Sequence, residues 1–156
     1  PNTKPYYNEL VGYKFMPFNV QAALGLAQFR RIEELVATKR KHLNFYRNEL
    51  SELKLQFNHE PDDVINGAWT TALVLDKSYN MNKAEFINKL QEIGVPSRPF
   101  FYPLSSLTPF NLKEEHMQKN KTSYDISNRG VNLPGAYNLT DDNLQFVCDG
   151  IKEVLS

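Results

Sequence analysis

Cysteine is nearly absent from this chain. Cys148 is the one thiol in 156 residues, which excludes an intramolecular disulfide framework and a cysteine-rich zinc site. Net charge is absent as well. The 18 Lys and Arg residues balance 18 Asp and Glu, leaving no cationic excess for nucleic acid or an anionic membrane surface. No apolar run approaches the roughly 18 residues of a membrane helix. No apolar stretch follows a charged start, so the chain reads as lacking a signal peptide, and a reducing, cytoplasmic compartment fits. Asn120-Lys121-Thr122 and Asn138-Leu139-Thr140 match the glycosylation triplet and, without a secretion signal, read as chance. Glycine is sparse, with seven residues, and neither a GxGxxG nor a Walker pattern occurs. The three histidines, His42, His59 and His116, lack the spacing of metal ligands and read as solvated surface residues, so no metal site is expected.

What is present suits one globular domain. Apolar residues make up 41% and charged residues 23%, and a chain of this length buries about two thirds of its unfolded surface. Residues 1–18 hold three prolines and no steady period, so they read as an extended arm. From Asn19, an acceptable N-cap, apolar residues recur at helical spacing to Leu53, as one long helix or two with a bend. Within it, Thr38 to His42 reads as the most exposed part. Residues 58–67 are loop-like. Ala68 to Leu75 is β-branched and apolar and reads as a strand.

Asn82 and Glu85 form a capping-box pattern before a helix that stops at Gly94. Val95 to Tyr102 is extended, and its prolines favour a sheet edge. The polar stretch 111–122 reads as a surface helix or mobile loop, and Tyr124 to Val131 as a short helix. Thr140 caps a last helix whose stripe is Leu144, Val147, Ile151 and Leu155, with Asp141 and Asp142 at its positive end. The order predicts an α/β (α+β) fold, a small sheet with helices packed mainly on one face.

Few residues carry obvious chemistry. Cys148 lies beside the last helix's stripe and reads as core. Asp62-Asp63 and Asp141-Asp142 are sequence neighbours that point apart, hence poor acid/base couples. Arg30, Arg31, Lys39, Arg40 and Lys41 make a basic stretch that could touch phosphate, but interleaved Glu33 and Glu34 favour a solvated face. Two segments stand out. In residues 12–28, an aromatic arm runs into a helix of small residues that permit close approach of another backbone. In residues 96–110, a single cation, Arg98, stands among aromatics. A lone Arg in an aromatic loop suits carboxylate or phosphate recognition, and equally an ion pair with an Asp or Glu elsewhere in the fold.

These segments, in this order, resemble the DegT/DnrJ/EryC1/StrS family of pyridoxal-phosphate-dependent nucleotide-sugar aminotransferases. VGYKFMPFNVQAALGLAQF (Val11 to Phe29) is similar to the family's GYNYRMTNIQAALGLAQL stretch. Gly94 to Leu104 matches its GI/V-x-x-R-x-x-x-YPL segment, and Leu133-Pro134 with Leu139-Thr140-Asp141-Asp142 its LP…LTDE helix start. The resemblance covers nearly the whole chain and points to the family's carboxy-terminal region. It implies the small C-terminal domain of a fold type I enzyme, with residues 1–18 as a dimer or large-domain contact and 19–156 as the small domain, long N-terminal helix included. A start at Pro1 rather than Met agrees with part of a longer protein. An arm that normally packs on missing parts is expected to be disordered or re-paired.

The resemblance also implies the chemistry. An amino acid, usually glutamate, gives its amine to the cofactor, which then aminates a nucleotide-linked keto sugar, in polysaccharide or glycan biosynthesis. The Schiff-base lysine belongs to the family's upstream domain, and no lysine here has that context. No catalytic residue is therefore expected in this chain, which alone should be inactive. The family's stretch points an Asn and an Arg across a dimer interface toward the partner's cofactor phosphate. Lys14 and Met16 stand there instead; Lys14 could still supply a cation, and Met16 cannot. Lys14 and Asn19 are thus the cofactor-binding candidates, with Gln21 near the dimer contact, and Arg98 and Tyr102 the substrate-binding candidates. A sugar 3-dehydratase using pyridoxamine phosphate, in the same family, and a non-catalytic interaction module are the alternatives.

Overall fold

The structure, a computed structural model, describes residues 5–110 and 114–156. The helical stretch from residue 19 divides in two, α1 (Asn19–Phe29) and α2 (Ile32–Glu49). The break falls at Arg30–Arg31, where the Arg31 guanidinium pairs with Glu34 at 2.7 Å and lies 4.9 Å from the Tyr137 ring centre. Phe18, not Asn19, takes the cap position of α1. Its backbone is extended, its carbonyl accepts from the Ala22 amide at 3.0 Å, and its own amide donates to Gln21 Oε1 at 3.2 Å.

Two short strands follow the helical pair and two more lie between later helices: β1 (Leu55–Phe57), β2 (Ala72–Leu75), β3 (Arg98–Pro99) and β4 (Gly130–Asn132). They pair antiparallel in the order β1-β2-β4-β3. As its prolines predict, β3 is an edge strand, because Pro99 has no amide to give a second neighbour. The strand expected from Ala68 starts only at Ala72. Ala68 is left-handed (φ 48°), and Asn58 occupies the neighbouring place instead, accepting from the Ala72 amide at 2.8 Å and donating to the Thr70 carbonyl at 3.0 Å. β1 and β4 carry no alternation to reveal them; three residues are too few to show a period.

The remaining helices are α3 (Lys83–Glu92), α4 (Glu114–Lys119), α5 (Lys121–Arg129) and α6 (Asp141–Leu155). Residues 111–113 of the polar stretch lie outside the described residues. The expected capping box forms at Asn82, and the expected cap at Thr140 proves to be a box as well. Asn82 accepts from the Ala84 and Glu85 amides while Glu85 accepts from the Asn82 amide, and Thr140 and Asn143 reciprocate in the same way. α3 ends as expected at Gly94 (φ 79°), with the Val95 amide on the Leu90 carbonyl at 2.8 Å and the Gly94 amide on Gln91 at 3.0 Å.

One core joins Tyr46 and Leu50 of α2, Leu73 and Leu75 of β2, Phe86 and Leu90 of α3, Val131 of β4, and Leu144, Val147 and Ile151 of α6. Leu73 faces Val131 across the ladder, so α2, α3 and α6 share one face of the sheet. Val74 and Gly130 point the other way, where α5 runs close to β2. Cys148 is fully buried in the core, as expected, and burial pushes its thiol up to about 12.

The polar Thr38–His42 stretch is not the exposed part of the helix. Lys39 donates to the Gly135 carbonyl, Arg40 pairs with Glu60 at 2.7 Å, and Lys41 with Asp141 at 2.7 Å. His42 is buried, against the reading of all three histidines as surface residues. The basic residues here bind protein groups because α2 lies along the 58–67 loop and the α6 start.

Candidate functional site

Residues 98–108 form an aromatic edge beside β4, held by α3 and α5. The amino-terminal arm folds back on it. Tyr6 packs on Phe101 with ring centres 5.1 Å apart, and Tyr7 meets Tyr102 edge-on at 5.5 Å. The Tyr7 hydroxyl lies 3.0 Å from Thr108 Oγ1 and donates to the Ser106 carbonyl. Trp69 stacks on Phe101 at 6.2 Å with its indole 73% exposed. Residues 10–18 of the arm gain no such cover, and their large apolar side chains stay in solvent.

Arg98 is exposed on β3 and donates to the Tyr6 hydroxyl at 3.3 Å. No Asp or Glu among the described residues lies within ion-pair distance of it, so the internal ion pair left open by its sequence context is not made. A guanidinium with free donors beside stacked rings can take a carboxylate or phosphate in bidentate fashion. Tyr102 lies four residues on, half-buried, between the Tyr7 ring and the Lys83 ammonium, whose Nζ is 4.3 Å from the Tyr102 ring centre.

Lys83 escaped the sequence reading. It donates to the Phe100 carbonyl at 3.0 Å and to Ser127 Oγ at 3.3 Å, and Ser127 in turn donates to the Phe101 carbonyl at 2.8 Å. Burial alone pushes its ammonium below the ordinary lysine range. One signal was available. Lys83 opens α3 directly after the Asn82 cap, where the helix dipole disfavours a cation.

Lys14 and Asn19 lie apart from this edge, exposed on the arm and on the first residue of α1, and no hydrogen bond or ion pair ties either to Arg98 or Tyr102. Gly12, nearby, has open space where a side chain would stand. Among the described residues no second donor converges with Lys14 and no cradle for a pyridine ring and its phosphate exists. These residues by themselves do not fit pyridoxal phosphate. The shallow groove bounded by Lys54, Asp76, Lys77 and Arg129 is elsewhere, and its Arg129 is already committed to Asp125 and the Leu75 carbonyl. Among the described residues no helix is long and apolar enough to cross a membrane.

The fold is that of the sugar aminotransferases. The solved structure of DesI, described with its TDP-sugar product, superimposes with a TM-score of 0.74 at 20% identity, over 86% of this chain and 35% of DesI. The chain belongs to the DegT/DnrJ/EryC1/StrS aminotransferase family, whose profile matches residues 1–152. The GDP-perosamine synthase of Vibrio cholerae is 33% identical over 153 residues, 96% of this chain and 40% of that enzyme. GDP-4-keto-6-deoxy-D-mannose 3-dehydratase of Yersinia pseudotuberculosis matches less, at 26% over 90 residues, 58% of this chain and 23% of that enzyme. The chain thus spans about 40% of the length of its synthase relative.

Proposed function

We propose that this chain is the carboxy-terminal part of a pyridoxal-phosphate-dependent aminotransferase that moves an amino group from an amino acid, glutamate first among candidates, to a nucleotide-linked keto sugar. In this reading the 98–108 edge faces the substrates, and Arg98 receives an anionic group, the donor's carboxylate or a nucleotide phosphate. The observation that carries the reading is the Arg98 guanidinium, exposed among aromatics and without a carboxylate partner among the described residues. Tyr102 shapes the same edge. The cofactor is held by residues outside this chain, with Lys14 and Asn19 as contributors from a partner subunit of a homodimer. Residues 10–18 and α1 form that contact, because their apolar side chains find no cover among the described residues.

The test uses the full-length gene product. Its visible spectrum is recorded, borohydride is added, and attached cofactor is sought by mass. A band that reduction fixes onto a lysine supports the aminotransferase. Cofactor that stays non-covalent points to the 3-dehydratase reading, behind which stands the shorter and weaker match to the Yersinia enzyme. A protein without cofactor overturns both and leaves the interaction module.

A further inference from the structure

We infer that Lys83 is a positioning residue that sets the substrate-facing edge. The inference rests on the reading of Arg98 and Tyr102 given above. A half-buried ammonium normally finds a carboxylate, since unpaired charge is costly to desolvate. Lys83 has none within ion-pair distance among the described residues. Its contacts go instead to consecutive residues of one segment: the Phe100 carbonyl at 3.0 Å, the Tyr102 ring at 4.3 Å and, through Ser127 Oγ, the Phe101 carbonyl. Each is an electron-rich group that attracts a cation.

The geometry explains why a cation is retained there. β3 is two residues long and lies at a sheet edge, with β4 its one strand neighbour. After the Phe100 amide reaches the Gly130 carbonyl at 3.0 Å, the ladder ends. Beyond that point the Phe100 and Phe101 carbonyls are held by side chains, Lys83 from α3 and Ser127 from α5. Gly130 lets the segment come this close to β4, because a Cβ there would lie 2.8 Å from Phe100 Cβ. Lys83 therefore ties the segment that carries Tyr102, and through β3 Arg98, to two helices. It acts through those residues and does not itself touch substrate.

The experiment measures binding to the full-length protein by titration calorimetry, with GDP and glutarate as separate probes of phosphate and carboxylate recognition. Arg98→Met is expected to weaken one of them about tenfold or more. Lys83→Met is expected to weaken that same probe about tenfold, Lys83→Arg to restore it to within about threefold, and Ser127→Ala to cost about threefold. In the Arg98→Met background Lys83→Met is expected to add little, since two residues acting through one contact are not additive. An unselective packing defect would instead add in full, and that result overturns the inference. So does an unchanged affinity in Lys83→Met where Arg98→Met has lost it, while the reading of Arg98 stands. If Arg98→Met changes neither probe, that reading fails and the inference falls with it. Should Lys83→Met not fold, Ser127→Ala and its pairing with Arg98→Met decide.

Discussion

His42 gives the fold a pH signature. Desolvation, then the nearby Lys39 and Lys41 charges, lower its affinity for a proton below the ordinary value of 6.5. The unfolded chain therefore binds more protons than the native one below that value, and stability falls as pH drops through 6.5 toward the lower native value. Above 6.5 the effect is absent, since both states are neutral. Urea unfolding at pH 7.5 and 5.5 is expected to show this loss, and His42→Gln to reduce it. An equal loss in the variant would show that another group carries the slope. Gly94 makes a separate point at the same level. A Cβ there would have room, with Phe146 Cζ at 4.0 Å, but φ is 79°. Gly94→Ala is therefore expected to cost about 1 kcal/mol through backbone strain, read from the urea midpoint at constant slope.

α1 and α3 differ in what holds them. α3 has a reciprocal cap, a left-handed stop and two buried side chains. α1 has none of these. It lacks charged residues, buries no side chain and relies on the Gln21 contact at its start. A helix of eleven residues is marginal when isolated in water, so a partner surface is what would stabilise it. Leu24, 64% exposed on α1, tests this. Leu24→Glu is expected to leave the unfolding midpoint of the rest of the chain within about 0.5 kcal/mol. In the full-length protein it should convert dimer to monomer in sedimentation. A dimer that survives would mean that α1 is covered by something other than a second copy. The short strands behave differently again. Each holds its register through the ladder and through side chains such as Asn58 that complete it, and none would persist alone.

In the molecule as a whole, α2, α3 and α6 close one core over a small antiparallel sheet, while the arm's first aromatics cover its far edge. The caps at Asn82 and Thr140, the buried stripe of α6 and the edge position of β3 were legible because each rests on a few neighbouring residues. A capping box needs four, a helix stripe a dozen, and a proline acts on its own backbone. The setting of Arg98 was legible because an isolated cation among aromatics is locally unusual, whereas Tyr102 was singled out by the family resemblance. Lys83 and Ser127 were not, since they stand 17 and 26 residues from the carbonyls they hold. Nor were His42 and the basic residues before it, whose partners lie in the 58–67 loop, in the 133–135 turn and at the start of α6. The order of residues thus decides where helices begin and stop and which side chains are unusual. Only the closed fold decides which short strands will pair, which charges meet a partner, and that Lys83 becomes a half-buried tie. Those outcomes depend on contacts between distant segments, and no local pattern encodes them.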